Sequence, residues 1–336
     1  MNTKENHSFR LPAEWEPQSG VILIWPHEDT DWRPYLEEIT EVYLQMADAI
    51  TRYEALLITA RDTEMVSSLL KGRLTEEQMK RVTLFTCDNN DTWARDVAPI
   101  SLIANKASKD SSQPLRLLDF CFNGWGEKFA AEKDNRINRQ LHEAGLLQGV
   151  LESHKDFVLE GGSIESDGSH TLFTTTSCLM APHRNQPLTQ EDIDKQLRLF
   201  FPNVERVIWL DYGQLAGDDT DGHIDTIVRI APNNTLLYIG CDDKEDEHYE
   251  DFRLLEEQLK QLRTLDGEPY RLLRLPMPDA IYDDDERLPA THANFLIING
   301  AVLVPTYNQP EKDKAALDTI QEAFPDREII GIDSRT

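Results

Sequence analysis

The chain has 336 residues, of which 40% are hydrophobic and 28% charged, a composition typical of a globular protein with a full hydrophobic core. Its formal net charge of −27 disfavours nucleic acid, whose phosphates would be repelled, and is compatible with attraction of a small cation. No apolar run approaches the roughly 18–20 residues of a bilayer span, and the polar N-terminus is unlike a secretory signal, so we expect no membrane contact and a cytoplasmic protein.

Short apolar strands alternate with amphipathic helices along the chain, which predicts an α/β protein. Strands are predicted at 21–25, 55–59, 82–86, 115–122, 171–175, 204–210, 235–240, 295–298 and 301–305. Helices are predicted after Pro34, after a cap at Thr189, at about 247–265 with Gly267 as a C-terminal cap, and at 311–324. The polar segments 107–114 and 283–287 are short enough to be surface loops, so we expect one domain over residues 1–336.

Polar or aromatic residues recur near predicted strand ends at similar intervals. The steps between Trp25, Asp96, Glu160, His223 and Asn294 are 71, 64, 63 and 71 residues. A nearly fixed step indicates a repeated supersecondary unit that presents one loop per unit to a shared centre.

Three motifs place charged groups beside glycine or tryptophan: 93–96 (WARD), 160–162 (EGG) and 218–225 (DDTDGHID). A carboxylate-rich pocket suits a guanidinium, which is flat, permanently cationic and donates hydrogen bonds from a fixed fork. A histidine among carboxylates adds a group that transfers protons near neutral pH. The motifs therefore predict a small cationic guanidine as the ligand.

The motif positions also suggest individual roles. On a strand, His223 and Asp225 would project to the same side. Asp96 could hold a planar cation whose face is covered by the ring of Trp93. Glu160, at the end of a buried strand, needs a cationic partner, either the histidine or the substrate. The alternatives are a hydrogen-bonded histidine in an acidic turn, a surface ion pair within the first motif, and an exposed glutamate in a hairpin turn.

Two further segments carry alternatives of their own. Residues 121–126 (CFNGWG), with Trp125, are predicted to form a wall of the same pocket, and Cys121 is expected to be packing. The acidic run 218–225 could instead hold Mg²⁺ or Mn²⁺. It does not have the calcium-loop spacing, because the twelfth position from Asp218 is Arg229 and not a glutamate. We expect neither a metal nor a cofactor.

Together these residues resemble the agmatine deiminase and bacterial-type peptidylarginine deiminase family of the guanidino-group-modifying superfamily. The matching stretches are 12–17 (PAEWEP), 25–26 (WP), 90–96 (NDTWARD), 122–126 (FNGWG), 159–163 (LEGGS), 217–225 (GDDTDGHID) and 294–295 (NF). The resemblance covers residue 12 to about 332. It implies a five-bladed α/β propeller (pentein) of pseudo-repeated ββαβ units around an acidic centre, in agreement with the marker spacing.

By motif, the resemblance implies that Asp96 and Asp225 clamp the guanidinium and that Glu160 and His223 form the acid–base pair. The family's nucleophile is a cysteine in a glycine-rich C-terminal segment, which follows the stretch matching residues 328–333. We therefore expect this cysteine beyond Thr336 and expect residues 1–336 to lack it.

The implied activity is that of a hydrolase acting on C–N bonds of linear amidines. It converts agmatine to N-carbamoylputrescine and ammonia through a cysteine thiouronium intermediate, in putrescine and polyamine biosynthesis. Trp93 and Trp125 are expected to contact the substrate, and the acidic residues Asp219 and Asp221 to accept its amine, together with Asp218. A homodimer is one assembly that we consider.

The sequence departs from the agmatine deiminase pattern at three places, and these leave the substrate open. Asp221 stands where the family commonly has asparagine, residues 27–29 (HED) replace a basic stretch, and Gly124 replaces a larger residue. The first alternative is a peptidyl-arginine or free-arginine deiminase that produces citrulline. The second, of another class, is a propeller that binds guanidines without catalysis.

Overall fold

A computed structural model of the chain describes residues 9–105 and 115–336, so the predicted loop 107–114 lies outside the described residues. The strands are β1 (Phe9–Arg10), β2 (Gly20–Ile24), β3 (Ala55–Ala60), β4 (Val82–Thr86), β5 (Ile100–Ala104), β6 (Arg116–Cys121), β7 (Val150–Val158), β8 (Ile164–Ser166), β9 (Thr171–Thr175), β10 (Arg206–Leu210), β11 (Val228–Ala231), β12 (Thr235–Gly240), β13 (Arg271–Pro276), β14 (Tyr282–Asp283), β15 (Glu286–Arg287), β16 (Leu296–Ile298), β17 (Ala301–Thr306) and β18 (Glu328–Asp333).

The longer helices connect these strands. They are α1 (Leu36–Tyr53), α2 (Thr63–Arg73), α3 (Asp134–Glu143), α4 (Gln190–Phe200), α5 (Tyr249–Gln261) and α6 (Pro310–Ala323). Single helical turns occur at Arg33–Tyr35, Glu76–Met79, Ala94–Val97, Gly124–Glu127, Gly161–Ser163, Thr176–Leu179 and Ile224–Thr226.

Among the described residues the strands form five sheets of three or four strands and the short hairpin β14–β15. Four of the sheets repeat one order, in which an antiparallel pair is followed by a helix and a parallel strand: β5–β6–α3–β7, β8–β9–α4–β10, β11–β12–α5–β13 and β16–β17–α6–β18. This is the predicted ββαβ order. The sheet β2–β3–β4 departs from it, because both of its strand pairs are parallel.

Most predicted elements occur where local sequence signals are strong. Strands β4, β9 and β12 have the predicted bounds, and α4 begins after Thr189, whose hydroxyl accepts a hydrogen bond from the amide of Asp192 at 3.2 Å. The predicted end of α5 was wrong. The helix stops at Gln261 because Leu262 is extended, and Gly267 lies in the next turn with φ +85°.

The connecting helices bury apolar faces against the sheets. In α1, Ile39, Tyr43 and Ile50 of the predicted stripe are buried, whereas Leu36 and Met46 are partly buried. This packing leaves the polar loops after the strands free to meet one another. Of the helices in the described part of the chain, none is both long and apolar enough to cross a membrane.

Candidate active site

Gly162 lies at the point where the three predicted motifs meet. A Cβ atom placed on this glycine would lie 2.5 Å from His223 Nδ1, 2.8 Å from Asp225 Oδ2 and 2.9 Å from Asp96 Oδ1. Only a residue without a side chain lets these three groups approach the backbone so closely. The structure therefore brings together the residues that the sequence predicted as a guanidinium clamp and a proton-transfer group.

Asp96 lies in the helical turn Ala94–Val97 that precedes β5, so it does not border the strand directly. Its Oδ1 accepts a hydrogen bond from the amide of Gly162 at 2.9 Å, and its Oδ2 accepts one from Trp125 Nε1 at 3.1 Å. Arg95 pairs with Glu14 and not with Asp96, so the alternative of a surface pair within the first motif is wrong. The Asp96 carboxylate is buried, and two hydrogen-bond donors fix its orientation.

His223 and Asp225 are not on a strand, so the predicted local structure was wrong at these two residues. His223 precedes the turn Ile224–Thr226, and its amide donates to Thr220 Oγ1 at 3.0 Å. Both side chains are nonetheless buried at the same centre. The turn achieves the shared orientation that strand alternation would otherwise provide.

The imidazole of His223 has two different surroundings. Its Nδ1 faces the clamp, 3.7 Å from Asp96 Oδ1, and its Nε2 is buried without a hydrogen-bond partner among the described residues. Burial lowers the pKa of His223, but the charges of Asp96, Cys178 and Asp225 outweigh burial and raise it well above 6.5. We therefore expect a protonated imidazole in the free protein at neutral pH.

Asp225 is costly to ionise at this position. Burial raises the pKa of Asp225 to about 6, although the charge of His223 opposes that rise. Its Oδ1 is buried and has no hydrogen-bond partner in the described part of the chain. An incoming cation with N–H donors would supply what this carboxylate lacks.

Glu160 is fully buried, which excludes the alternative of an exposed turn. It immediately precedes the turn Gly161–Ser163, and its Oε1 lies 2.9 Å from Nε of Arg184, whose side chain is also fully buried. Burial raises the pKa of Glu160, whereas the charges of Arg184 and His223 act to lower it. Sequence reasoning missed Arg184. It lies in the loop after β9, at the same end of a strand as the other site residues, but no acidic marker drew attention to that loop.

Cys178 is the cysteine nearest to this centre. Its sulfur, a carboxylate oxygen of Glu160 and a ring nitrogen of His223 lie within 4.8 Å of one another. Burial raises the pKa of the Cys178 thiol, and His223 opposes the rise. A buried thiol with a raised pKa is not an activated nucleophile.

The structure does not support the predicted Mg²⁺ or Mn²⁺ alternative at residues 218–225. Asp218 accepts hydrogen bonds from the amides of Thr220 and Gly222, 2.9 and 2.8 Å away, and so shapes the loop. Within residues 9–105 and 115–336, the group with metal-ligand spacing is Glu160, Cys178 and His223. The Arg184 guanidinium beside Glu160 opposes a dication there.

Tryptophans line one side of the centre. The side chain of Trp125 is buried, and Trp93 is 46% exposed. Their ring centroids are 6.4 Å apart, and Trp93 lies 6.0 Å from Trp32. The two predicted tryptophans therefore adjoin Asp96 as an aromatic wall, which can cover the face of a planar cation.

The acidic loop is less free than its sequence suggests. Asp221 accepts hydrogen bonds from Lys128 Nζ and from Arg184, both at 2.8 Å, and these hold its pKa below the usual value although burial acts to raise it. Asp219 is exposed, and burial and neighbouring carboxylates raise its pKa while Lys128 opposes the rise. Of the two residues predicted to accept an amine, Asp221 is already paired, whereas the carboxylate of Asp219 forms no ion pair in the described part of the chain.

The chain is similar over nearly its whole length to solved structures of deiminases. A Porphyromonas gingivalis crystal structure, named provisionally as an arginine deiminase, is 48% identical, covers 97% of this chain and 93% of its own, and has a TM-score of 0.89. A substrate-bound cysteine-to-serine variant of Campylobacter jejuni agmatine deiminase is 37% identical over 97% of this chain and 91% of its own, with a TM-score of 0.87. The agmatine deiminase of Pseudomonas aeruginosa is 30% identical over 99% of this chain and 93% of its own.

The sequence profile of the Porphyromonas-type peptidyl-arginine deiminases matches residues 10–336. The chain belongs to this family.

Proposed function

We propose that the protein is an agmatine deiminase that hydrolyses the guanidinium of agmatine to N-carbamoylputrescine and ammonia. The observation that carries the proposal is the convergence of Asp96, Asp225 and His223 around Gly162, next to Trp125. Buried carboxylates with unpartnered oxygens need a cation, and a guanidinium supplies positive charge and N–H donors in one plane. The similarity to agmatine deiminases of full-chain length supports this substrate.

The proposed architecture is a single domain in which the five sheets are the blades of an α/β propeller around this centre. The repeated ββαβ order in four of the sheets supports it. The residues that meet at Gly162 come from loops that follow different strands, as a shared centre requires.

In the proposed reaction, a cysteine thiolate attacks the central guanidino carbon of a substrate held by Asp96 and Asp225. The C–N bond breaks, and protonated His223 gives its proton to the departing ammonia. The resulting thiouronium is attacked by a water molecule whose proton passes to His223. The C–S bond then breaks, which releases the ureido product and restores the thiolate. Glu160 orients the imidazole throughout.

The attacking thiolate is not assigned to Cys178, which lies beside His223 but is buried with a raised thiol pKa. The resemblance implies that the nucleophile is a cysteine of a glycine-rich C-terminal segment. In protein that releases ammonia, His223→Ala should lower kcat by about 10²- to 10⁴-fold, because it removes proton transfer. Cys178→Ala should retain turnover, and loss of a thiol-dependent burst in that variant would assign the nucleophile to Cys178.

The substrate tail is the second part of the proposal. The Asp219 carboxylate lies at the rim and forms no ion pair with a lysine or arginine among the described residues; Lys128 donates to its backbone carbonyl instead. This carboxylate is therefore suited to bind the amine of agmatine. The carboxylate of free arginine would be repelled at the same place. Like-charge contacts of this kind cost several kcal/mol, so we expect agmatine to be preferred by at least about tenfold in kcat/KM.

Peptidyl-arginine or free arginine remains the second candidate, supported by the family to which the chain belongs and by the naming of the Porphyromonas gingivalis structure. The deciding experiment measures ammonia release from agmatine, free arginine and a blocked arginyl peptide. Asp219→Asn should narrow the preference for agmatine, and Glu77→Gln, which removes the same charge from an exposed helical turn, should not. Higher kcat/KM for arginine or the peptide would overturn the agmatine assignment, and substrate binding without ammonia release would favour a non-catalytic guanidine-binding protein.

A further inference from the structure

Arg184 is a buried cation that the proposed reaction does not use directly. Its Nε lies 2.9 Å from Glu160 Oε1, its Nη1 donates to Asp221 Oδ2 at 2.8 Å, and its Nη2 donates to the carbonyl of Thr220 at 2.8 Å. The side chain is fully buried, so each of these contacts replaces water that the guanidinium has lost. A guanidinium held from three directions has one orientation.

The negative charge of Glu160 depends on the Arg184 guanidinium. Both carboxylate oxygens of Glu160 are buried and form no hydrogen bond with ideal geometry among the described residues, although one lies at ion-pair distance from Arg184. An uncompensated buried carboxylate takes up a proton instead of remaining charged. A neutral Glu160 could no longer attract a protonated His223. The charges of Glu160 and His223 therefore depend on the Arg184 guanidinium.

Arg184 also connects this pair to the pocket rim. Asp221, which it binds, accepts a second hydrogen bond from Lys128 of the segment after the wall loop. A Cβ atom on Gly126 of that loop would lie 2.7 Å from Arg184 Nη1, so the loop backbone packs directly on the guanidinium. One side chain therefore contacts the catalytic glutamate, the acidic loop and the aromatic wall loop.

We propose that Arg184 is a positioning residue that keeps Glu160 charged and aimed at His223 while it fixes the acidic loop at the rim. The proposal rests on the proposed function for its kinetic consequences. Its electrostatic consequence, the charge state of Glu160, is a property of the free protein and can be measured without any substrate.

The test compares Arg184→Gln with Arg184→Lys and with Arg229→Gln. Arg229 is a buried arginine that pairs with Glu165 and Glu14 and does not contact Glu160, so it controls for the general damage of removing a buried guanidinium. In protein labelled with ¹³C at glutamate carboxyl carbons, the Glu160 signal is identified by its absence in Glu160→Gln. We expect Arg184→Gln to move the titration of this signal upward by at least about one pH unit, Arg184→Lys to move it less, and Arg229→Gln to leave it in place.

The kinetic readout uses ammonia release from agmatine. Because the clamp at Asp96 and Asp225 is retained, Arg184→Gln should lower kcat about tenfold or more at neutral pH, with KM changed less than threefold, and should move the acidic limb of the kcat profile upward. Arg184→Lys should shift the acidic limb of the kcat profile less than Arg184→Gln does.

The outcomes separate the two proposals. An unchanged Glu160 titration in Arg184→Gln, or a fall in kcat that Arg229→Gln reproduces without a change in the pH profile, overturns the role of Arg184. If Arg184→Gln does not fold, Arg184→Met, which keeps a long side chain without the charge, decides by the same signal, and an unmoved titration there overturns it. A wild-type protein that releases no ammonia contradicts the proposed function, while the Glu160 titration still decides the role of Arg184.

Discussion

Two neighbouring clusters of charged side chains differ in how completely their charges are paired. In the first, every charged group has a partner: Arg229 Nε lies 2.6 Å from Glu165 Oε1, a second nitrogen of Arg229 lies 2.5 Å from Glu14, and Glu14 also pairs with Arg95. In the second, at the candidate site, carboxylates outnumber cations, and several buried polar atoms form no hydrogen bond within the described residues, although Glu160 lies at ion-pair distance from Arg184. These atoms are both carboxylate oxygens of Glu160, Asp225 Oδ1 and His223 Nε2.

The boundary between the clusters falls within one helical turn. Arg95 contributes to the paired cluster, whereas its neighbour Asp96 faces the site. Buried charges in this protein therefore differ in whether neighbouring side chains neutralise them. Two glutamates and two arginines that satisfy one another stabilise the fold, whereas an excess of buried carboxylates costs folding free energy that a cationic ligand could offset on binding.

The largest expected effect is a contrast between two substitutions: Arg229→Gln should lower stability, and Asp225→Asn should abolish activity without lowering stability. Arg229→Gln should lower the free energy of unfolding by about 3–5 kcal/mol, because it leaves the buried carboxylate of Glu165 without its ion-pair partner. Asp225→Asn should leave that free energy unchanged or higher at neutral pH, because it removes a carboxylate that is costly to ionise, and should abolish turnover. Urea unfolding and ammonia release, measured on both variants, check this. Strong destabilisation by Asp225→Asn would show that the site cluster is structural.

A smaller effect concerns the space at Gly162. Gly162→Ala places a methyl group where His223, Asp225 and Asp96 converge, so the clamp must open by a fraction of an ångström or more. Displacement of this size in a catalytic centre costs on the order of 10²-fold in kcat/KM. Gly72→Ala in α2, where a Cβ meets nothing within 4 Å, is the matched control and should leave the kinetics unchanged. Wild-type kinetics in Gly162→Ala would mean that the three groups do not act together.

The smallest expected effect is in the pH dependence of stability. The folded pKa of His223 is raised above 6.5, so its charge stabilises the fold fully below pH 6.5, and that contribution is lost as the pH rises through the folded pKa. A tenfold gain in proton affinity on folding is worth about 1.4 kcal/mol. The free energy of unfolding should therefore decline above pH 6.5, and His223→Gln should flatten the decline. His170→Gln, which alters an exposed histidine, should keep it, and an unchanged slope in His223→Gln would contradict the raised pKa.

Individual residues show which features of the fold and the site can be predicted from the sequence. Thr189 predicted the start of α4 because a capping box is local, and Asp96, Glu160 and His223 were found because each lies in a short motif that places a charged group beside tryptophan or glycine. Arg184 was not found, since nothing in a polar loop shows that its guanidinium will be buried against a glutamate 24 residues earlier in the chain.

The pairing of Asp221 was likewise beyond local sequence reasoning. Its partners Lys128 and Arg184 come from two other loops, and only their arrangement in space shows that the carboxylate is neutralised. The turn at Ile224–Thr226 shows the converse case, in which a wrong local structure still led to the correct grouping of His223 and Asp225.

The segment before β2 is bonded to parts of the chain that are synthesised much later. The carbonyl of Trp15 accepts a hydrogen bond from Arg327 at 2.8 Å, and the carbonyl of Gln18 accepts one from Asn299 at 2.8 Å. At roughly 5–20 residues per second on a ribosome, these partners emerge about 15–60 s after the segment itself. Until then the carbonyls of Trp15 and Gln18 lack these two hydrogen-bond donors. The contacts of this N-terminal segment are therefore completed only late in synthesis, and we expect fusions at that end to disturb folding more than the finished structure would suggest.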